Sequence, residues 1–288
     1  MAQVAAASAR TSSSSSSSSV PPSSAGRPKF AATPSTVPLV NVCADIARRV
    51  DSYLVTTPAS ESPDAAGLRQ ATKDRIRESL SVISEALKRY SIDELAISFN
   101  GGKDCLVMLV LLLASLHYHS SQFPPQKIHT VYVHSLNAFP EVDAFVNDCV
   151  ALYSLDLIRL PTPMKAAFQK FLDAKPHVKA IMVGTRRTDP NGAELTYFDE
   201  TDHGWPKFMR VHPVIDWHYA EVWHFLRELE IKYCILYDLG YTSLGGTTDT
   251  YPNPALRMDT GGDSTGEQTF MPAYALVDGN KERWGRTK

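Results

Sequence analysis

An α/β fold with a doubly wound, mainly parallel sheet is the fold class that the sequence predicts. From residue 95 onward, short β-prone runs alternate with longer runs whose apolar residues recur at helical spacing. Residues 180–183 are continuously apolar, which is typical of a parallel strand that is buried on both faces. Strands separated by helices form right-handed crossovers, and such sheets bind ligands beyond the carboxyl ends of their strands.

Two helices are predicted before the sheet, because apolar residues share one helical face in residues 46–54 and again in residues 76–87. The elements predicted after them are a strand at 95–99, a helix at 103–118, a strand at 128–134, a helix at 140–153, a strand at 157–160, a helix at 164–172 and a strand at 180–183. Proline at position 140 suits the first turn of its helix. Core-spaced apolar residues at 222–229 predict a further helix.

Composition excludes several classes of partner. The chain has 288 residues, with 29 basic against 31 acidic side chains and a formal charge of -2, so we expect no nucleic-acid partner. The longest strongly apolar run, 106–116, is far shorter than the roughly 20 residues that span a bilayer, so we expect no membrane-spanning helix. The four cysteines lie far apart without metal-ligand spacing, which indicates reduced, mostly buried thiols.

Residues 1–37 form a predicted disordered, Ser-rich tail, and residues 38–288 a single predicted domain. The tail contains an unbroken serine run at 12–19, and its ordering would bury too little apolar surface to offset the loss of entropy. It carries basic residues but no acid before Asp45, which is also the composition of a mitochondrial transit peptide. We expect a cytoplasmic protein, and mitochondrial import is the alternative that this composition leaves open.

The segment after the first predicted strand has the pattern of a phosphate-binding loop. Gly101 and Gly102 allow a tight turn that brings backbone N–H groups close to an anion, and the following helix directs its positive dipole end at the same point. Lys103 adds a mobile positive charge. Asn100 and Asp104 add oxygen ligands that suit Mg²⁺.

Two commoner phosphate motifs are absent, since the chain contains neither G-x-x-x-x-G-K-[ST] nor G-x-G-x-x-G. An Asn-Gly pair is often an ordinary turn between two strands. Here apolar residues at helical spacing follow the glycines in 106–116, which favours the strand–loop–helix interpretation.

A second loop, residues 184–190, follows the apolar strand at 180–183 and therefore opens on the same sheet edge. Arg186 and Arg187 would supply planar charged groups for phosphate, and Asp189 an acceptor for a ligand N–H. A solvated turn with a surface ion pair is the alternative. Near the end of the chain, Arg283 and Arg286 would share one face if that segment is helical, and spacing alone does not separate a site from a frayed terminus.

Three motifs in this order resemble the eukaryotic, fungal-type FAD synthase family, also called FMN adenylyltransferases. They are residues 98–104 (SFNGGKD), 184–190 (GTRRTDP) and 233–245 (YCILYDLGYTSLG), and the resemblance extends over residues 40–288. That family belongs to the adenine nucleotide α-hydrolase-like group, which also contains phosphoadenylyl-sulfate reductases. The resemblance implies a modified Rossmann-like fold with helical N- and C-terminal extensions.

The resemblance also implies the reaction, in which the AMP moiety of MgATP is transferred to FMN to give FAD and pyrophosphate. The phosphate of FMN would attack the α-phosphorus in line, and because its second pKa is about 6 it needs no strong base at neutral pH. Small-molecule nucleotides are therefore the expected partners. Apoflavoproteins as clients and a monomeric state are further expectations.

The family's functional residues are carried over by resemblance alone. On the ATP side they are Ile97, Ser98, Asn100, Gly101, Gly102, Lys103 and Asp104, with Asn100 and Asp104 as the magnesium ligands. On the flavin side they are Thr185, Arg186, Arg187, Asp189, Asp202, His203, Gly204, Trp205, Arg283 and Arg286. The expected catalytic residues are Asn100, Lys103, Asp104, Asp189, Arg283 and Arg286.

Other activities of the same group fit the sequence less well. Sulfonucleotide reductases act through a C-terminal cysteine, whereas the last cysteine here is Cys234. Adenylating ATP pyrophosphatases carry S-G-G-x-D-S, but here Phe99 and Asn100 separate Ser98 from the glycines, and Cys105 replaces the closing serine. A non-catalytic flavin or nucleotide sensor that uses the same pocket remains an open alternative.

Overall fold

The computed structural model describes residues 37–120, 127–134, 137–258 and 269–287. These residues belong to one compact unit, Pro34–Lys288. Apart from Val37, the predicted Ser-rich tail lies outside the described residues.

The described residues form six α-helices and six strands. The helices are α1 (Leu39–Val55), α2 (Pro63–Arg89), α3 (Lys103–Tyr118), α4 (Pro140–Tyr153), α5 (Met164–Ala174) and α6 (Tyr219–Glu228). The strands are β1 (Leu95–Ser98), β2 (Ile128–Val133), β3 (Leu155–Leu160), β4 (Ala180–Met182), β5 (Phe198–Glu200) and β6 (Met209–Val211).

Most predicted elements are present, and α3 and α4 begin and end where the sequence predicts. Strand β3 begins two residues earlier than predicted, because Ser154 adopts a left-handed conformation (φ 53°) that ends α4 and lets the strand begin at once. The short β5–β6 pair is absent from the sequence prediction. Its strands have only three residues each, too few for alternation to be recognised.

The sheet has the strand order β3-β2-β1-β4-β6-β5. All neighbouring strands are parallel except β5, which pairs with β6 in the antiparallel direction. The sequence therefore predicted the fold class correctly. The order of the strands changes direction between β1 and β4, and a crevice opens beyond their carboxyl ends at such a position.

Helix α3 is central because it is apolar around its whole circumference. Every residue from Cys105 to Leu116 is buried. The helix contacts α1, α2 and α6, and its side chains share one core cluster with Ile97, Met182 and Val211 of the sheet. A helix that buries all its faces has little freedom to move within the fold. Its N-terminus therefore holds the phosphate loop at a fixed position below the crevice.

A second, smaller core covers the opposite face of the sheet. It contains Phe168 and Phe171 of α5 together with Phe208, and Trp205 packs against it. The rings of Phe168 and Phe208 lie 5.2 Å apart, and those of Phe168 and Trp205 lie 6.2 Å apart. Aromatic side chains thus line this side of the crevice.

The four cysteines are free and buried, as the sequence predicts. Burial raises the pKa of Cys43 and of Cys105 to about 12, and that of Cys234 to about 11. A thiol with such a pKa is protonated at neutral pH and is a poor nucleophile. Among the described residues, no helix combines the length and apolarity needed to cross a membrane.

Candidate active site

A cavity of about 790 Å³ opens at the crevice, within the usual size range of small-molecule sites. The predicted site residues are all described by the structure, and those that line the cavity are Ser98, Asn100, Gly102, Lys103, Asp104, Thr185, Asp189, Asp202, Trp205, Arg283 and Arg286. Those that do not line it are Ile97, Gly101, Arg186, Arg187, His203 and Gly204. Four separate segments of the chain that carry predicted site residues thus contribute to one cavity.

The phosphate loop is closed by its own asparagine. Gly101 has φ +77°, and the Oδ1 atom of Asn100 accepts a hydrogen bond from the Gly102 N–H at 3.0 Å. The hydroxyl of Tyr237 accepts a hydrogen bond from the Lys103 N–H at 2.9 Å. Two backbone donors expected for an anion are therefore engaged within the protein, and the oxygen of Asn100 points to its own loop.

The predicted mobile charge at Lys103 is instead fixed and buried. The side chain is 2% exposed, and its Nζ atom forms ion pairs with Glu282 and, at 3.1 Å, with Oδ2 of Asp104. This corrects the sequence-based expectation. The ammonium group is held at the first turn of α3 by two carboxylates, one of which comes from the end of the chain.

Arg186 is buried beside the same two carboxylates. Its Nε lies 3.1 Å from Oδ1 of Asp104, and its NH2 group donates to Oε2 of Glu282 at 2.6 Å. Burial disfavours the charge of Arg186, but Asp104 and Glu282 outweigh this effect and raise its pKa. Arg186 does not line the cavity in the ligand-free protein, because its guanidinium is directed into this ion-pair network, and the expected phosphate contact stays a prediction.

Arg187 points the other way, to the outside of the loop. Its guanidinium pairs with Asp216 and donates to the carbonyl oxygens of Ala193, at 3.2 Å, and Leu195, at 2.7 Å. The side chain is 42% exposed. Arg187 therefore stabilises the path of the loop, and the expected role as a phosphate ligand does not fit its orientation.

Asp104 and Asp189 stand in different electrostatic environments. Burial opposes the ionisation of Asp104, but Lys103 and Arg186 outweigh it and hold the pKa of this carboxyl below its usual range. Burial raises the pKa of Asp189, although its Oδ2 accepts a hydrogen bond from the Arg186 N–H at 2.9 Å. Asp104 also lies in the first turn of α3 and not in an exposed loop.

The glycine at the start of the second loop brings it against the phosphate loop. A Cβ added to Gly184 would lie 2.8 Å from the backbone nitrogen of Cys105 and 2.9 Å from its Cα. Any larger side chain would thus displace the backbone of α3 at its first turn. Gly184 thereby sets the distance between the two loops that the sequence predicts to share one site.

The C-terminal segment reaches the cavity without forming an α-helix. After a short 3₁₀ turn at Gly279–Lys281, Arg286 pairs with Thr250 in an isolated β-bridge. The guanidinium of Arg286 donates to the Leu244 carbonyl at 3.2 Å and lies 3.3 Å from Oδ1 of Asp249. The two arginines thus reach the cavity through this bridge and not through a shared helical face.

The segment before β6 contributes to the cavity in part. Asp202 and Trp205 line it, with the Trp205 ring near Phe168. His203 is 87% exposed and lies outside the cavity lining, and Gly204 has φ +73° in a turn. Of the four residues in this segment that the resemblance assigns to the flavin side, two therefore line the cavity.

Several lining residues have no counterpart in the sequence prediction. They are Tyr132, Phe139, Phe168, Phe208, Arg210, His212, Tyr237, Leu244, Asp249 and Glu282, among others. Glu282 is the most consequential, because it joins Lys103 and Arg186. No local pattern marks it, since its partners lie 179 and 96 residues away in the chain.

Comparison with known proteins shows the family of this chain. The family model for the phosphoadenosine phosphosulfate reductase domain matches residues 94–177 and 161–252. A probable FAD synthase of Schizosaccharomyces pombe is 45% identical over 235 residues, which cover 81% of this chain and 84% of the relative. This chain belongs to the FAD synthase family. The flavin adenine dinucleotide synthase of Saccharomyces cerevisiae is 31% identical, covering 72% of this chain and 87% of that protein.

Solved structures of the FAD synthase family have the same fold. The Candida glabrata FMN adenylyltransferase in complex with FAD and inorganic pyrophosphate superposes with a TM-score of 0.79 at 29% identity, covering 86% of this chain and 99% of that one. The same enzyme in complex with FMN and the ATP analogue AMPCPP also gives a TM-score of 0.79, at 29% identity and coverages of 87% and 97%. The resemblance and fold class inferred from sequence are thus confirmed.

Proposed function

We propose that this protein is an FMN adenylyltransferase, which transfers the AMP moiety of MgATP to FMN and yields FAD and pyrophosphate. The observation that carries the proposal is the single cavity that joins the phosphate loop, the loop after β4 and both C-terminal arginines. Its family relatives include an enzyme solved with FMN and an ATP analogue and with FAD and pyrophosphate.

The ATP side is assigned to the end of β1 and the start of α3. Ser98 ends β1 at the cavity, and the N-terminus of α3 directs its dipole toward a phosphate placed above Gly102. Lys103, which lines the cavity from below, adds a fixed positive charge. Because Lys103 is held in place, no side-chain ordering is required when the phosphates bind.

The residues present fit a magnesium ion that arrives with ATP. Magnesium is usually held by one or two carboxylates together with substrate phosphates. Asp104 supplies a carboxylate at the cavity. Its Oδ1 lies 3.1 Å from the Arg186 Nε and its Oδ2 3.1 Å from the Lys103 Nζ, so a bound ion would share this carboxylate with both cations. For Asn100 to act as a second ligand of the ion, its side-chain oxygen would have to turn away from the Gly102 N–H. When bound, the ion would neutralise charge on the phosphates of ATP.

The flavin side is assigned to Thr185, Asp189, Asp202 and Trp205, which line the cavity beyond β4 and before β6. The aromatic side chains on this face suit a large planar ring. Arg283 and Arg286 also line the cavity, with NH1 of Arg283 4.0 Å from Oδ1 of Asp189, and would balance the charge where the two phosphate groups meet.

The reaction depends on positioning more than on acid–base chemistry. An ionised oxygen of the FMN phosphate forms a bond to the α-phosphorus, the bond from that phosphorus to the bridging oxygen breaks, and pyrophosphate leaves. No protein nucleophile is needed, and the buried Cys105 thiol, with a pKa of about 12, is unsuited to that role. The protein would hold the two anions in line and offset their repulsion.

One assay distinguishes this function from its alternatives. The protein is incubated with FMN, ATP and magnesium, and FAD and pyrophosphate are followed by chromatography and a coupled pyrophosphate assay. Formation of both products in equal amounts, dependent on both substrates, is the expected result. If FMN and ATP bind but no FAD forms, the protein is a sensor and the proposal is wrong.

Three further features belong to the proposal. We infer one FMN adenylyltransferase domain over residues 38–288 that acts as a monomer, which light scattering after size-exclusion chromatography would test. We also infer a cytoplasmic location, with mitochondrial import as the alternative; a fluorescent protein fused after Lys288 would distinguish them. Transfer of FAD to client apoflavoproteins can be measured by reconstitution of an apoenzyme in the presence of the FAD-loaded protein.

A further inference from the structure

His212 is a buried histidine at the cavity whose ring lacks hydrogen-bond partners. It directly follows β6, lines the cavity and is only 1% exposed. Neither Nδ1 nor Nε2 has a hydrogen-bond partner among the described residues, and the nearest carboxylate oxygen, Oδ2 of Asp199, lies 3.6 Å from Nε2. Buried polar groups in native proteins are nearly always paired. An unpaired ring at a cavity wall therefore indicates a partner that arrives with a ligand.

The ring is electrically neutral in this environment. Burial lowers the pKa of His212 to about 4; the nearby Asp199 opposes this effect and Arg210 adds to it. A neutral imidazole carries one N–H donor and one nitrogen acceptor. It can thus pair with a ligand that offers an acceptor, a donor or both, and it adds no charge to a site that already holds phosphate-binding cations.

The position of His212 in the sheet indicates whether it lies near the adenine ring of ATP or near the isoalloxazine ring of FMN. Strand β6 neighbours β4, and β4 separates it from β1. Because adjacent strands lie about 4.8 Å apart, β6 is about 10 Å from β1, where the adenosine is expected beside Ser98. The segment that leads into β6 contains Asp202 and Trp205, and both line the same cavity.

Aromatic and apolar side chains surround this part of the cavity. Phe168, Trp205 and Phe208 form one cluster, and Val183 lies beside His212 at the end of β4. A planar ring with one apolar and one polar edge fits such a wall. The isoalloxazine ring has this character, since its dimethylbenzene part is apolar and its opposite edge carries carbonyl, N–H and ring-nitrogen groups.

We propose that His212 forms a hydrogen bond with the polar edge of the isoalloxazine ring of FMN and thereby contributes to flavin recognition. The inference rests on the proposed function and extends it to a residue that no motif assigns. In the ligand-free protein the ring lacks its partner, so the contact favours binding without contributing to the stability of the free protein.

The test compares two substitutions at one position. His212→Phe keeps a planar side chain and removes both polar atoms, whereas His212→Gln retains one donor and one acceptor. FMN affinity is measured by quenching of flavin fluorescence in the presence of the ATP analogue AMPCPP. KM for FMN, KM for ATP and the thermal midpoint of the ligand-free protein are measured in parallel.

With His212→Phe we expect about tenfold weaker FMN binding and a similar rise in KM for FMN, which is the usual effect of losing one hydrogen bond. KM for ATP should stay unchanged, and the ligand-free protein should be at least as stable as the parent. His212→Gln should restore part of the affinity. His218 lies six residues further along the chain and is largely exposed, so His218→Phe is the matched control. It should change neither KM for FMN nor KM for ATP.

Three results would overturn the inference. Unchanged FMN affinity in His212→Phe would show that the ring has no flavin contact. A rise confined to KM for ATP would place the contact at the adenine. Loss of thermal stability without loss of FMN affinity would assign His212 a purely structural role.

A measurement on the unsubstituted protein covers the case in which His212→Phe does not fold. In protein with ¹⁵N-labelled histidine, the His212 ring signals, assigned with His212→Gln, should shift when FMN is added, and absence of a shift would refute the contact. The wild-type FAD assay remains separate, so failure of the proposed reaction is distinguishable from failure of this inference.

Discussion

Glu282 accepts a hydrogen bond from the NH2 group of Arg186 at 2.6 Å, although 96 residues separate the two in the chain. The other oxygen of the same carboxylate pairs with Lys103. Thr242 donates from its hydroxyl to the Glu282 backbone carbonyl at 2.6 Å, which fixes this part of the C-terminal segment. One carboxylate therefore ties the phosphate loop and the loop after β4 to the segment that carries Arg283 and Arg286.

Replacement of Glu282 should disturb the site more than any other change in the C-terminal segment. In Glu282→Ala, Lys103 and Arg186 lose a shared buried counter-charge. We therefore expect the free energy of unfolding to fall by about 3–5 kcal/mol and most of the FAD synthesis activity to be lost. Glu282→Gln should lose activity with a smaller loss of stability. Urea denaturation and steady-state kinetics measure both, with Asp278→Asn as the exposed control in the same segment. A normal kcat in Glu282→Ala would contradict this role.

The two adjacent arginines should behave very differently. Arg186→Ala leaves the buried Asp104 and Glu282 with Lys103 as their remaining shared cation. We expect the free energy of unfolding to fall by about 3–5 kcal/mol and most of the activity to be lost. Arg187→Ala removes only exposed contacts outside the cavity, so KM for FMN and kcat should remain within about twofold of the parent values. Equal effects of the two substitutions on kinetics would show that both arginines serve the ligand.

Gly245 offers a way to displace Arg286 without altering it. A Cβ at Gly245 would collide with the Arg286 guanidinium, the mobile end of a long side chain, so Gly245→Ala should move that group at little cost in stability. We expect Gly245→Ala and Arg286→Ala each to lower kcat/KM at least tenfold.

The double substitution should then be no worse than Arg286→Ala alone, because both act through the same group. Gly67→Ala is the control, since a Cβ at Gly67 meets nothing within 4 Å, and on α2 it should stabilise the protein by about 0.5–1 kcal/mol. Additive effects of Gly245→Ala and Arg286→Ala would mean that Gly245 acts independently of the guanidinium.

Asp104→Asn tests the proposed magnesium ligand with the shape of the side chain retained. We expect the loss of at least about 90% of the activity and a higher magnesium concentration for half-maximal rate, because one carboxylate ligand is removed. Some stability should also be lost, since Lys103 and Arg186 would share Glu282 alone. The rate is measured against magnesium concentration, and parental turnover at limiting magnesium would contradict the assignment.

His212 should make the stability of the ligand-free protein depend on pH. Its pKa of about 4 in the folded state lies below the usual 6.5, so the unfolded chain takes up a proton at this ring before the folded protein does. The free energy of unfolding is therefore unaffected by this ring above pH 6.5 and falls as the pH drops from 6.5 toward 4. The difference corresponds to about 3 kcal/mol. Urea denaturation at about pH 7 and about pH 4.5 should show a smaller loss for His212→Phe than for the parent protein. Equal losses would mean that His212 is not held neutral.

Local patterns predicted the elements that surround the site. Helix α3 was predicted at its observed bounds, because two glycines end the strand and a continuous apolar run at helical spacing follows. The sheet edge that carries the loops after β1 and β4 follows from the order of strands and helices. Three motifs in order then indicated the family and its reaction, which the relatives and solved structures support.

Local sequence patterns could not predict the direction of individual side chains or the pairing of residues that lie far apart in the chain. Arg186 and Arg187 are adjacent and chemically identical, yet one is buried among carboxylates and the other faces outward. Which way each turns depends on Glu282 and Asp216, and their positions relative to the loop exist only in the folded chain.

The sequence by itself determined the fold class, the position of the phosphate loop and the family, because these depend on residue type and spacing along the chain. Only the tertiary structure decided that Lys103 is fixed and not mobile, that Arg286 arrives through a β-bridge, and that His212 stands unpaired at the cavity. The physical reason is that burial and ion pairing depend on distances in space, and here they join groups separated by up to 179 residues.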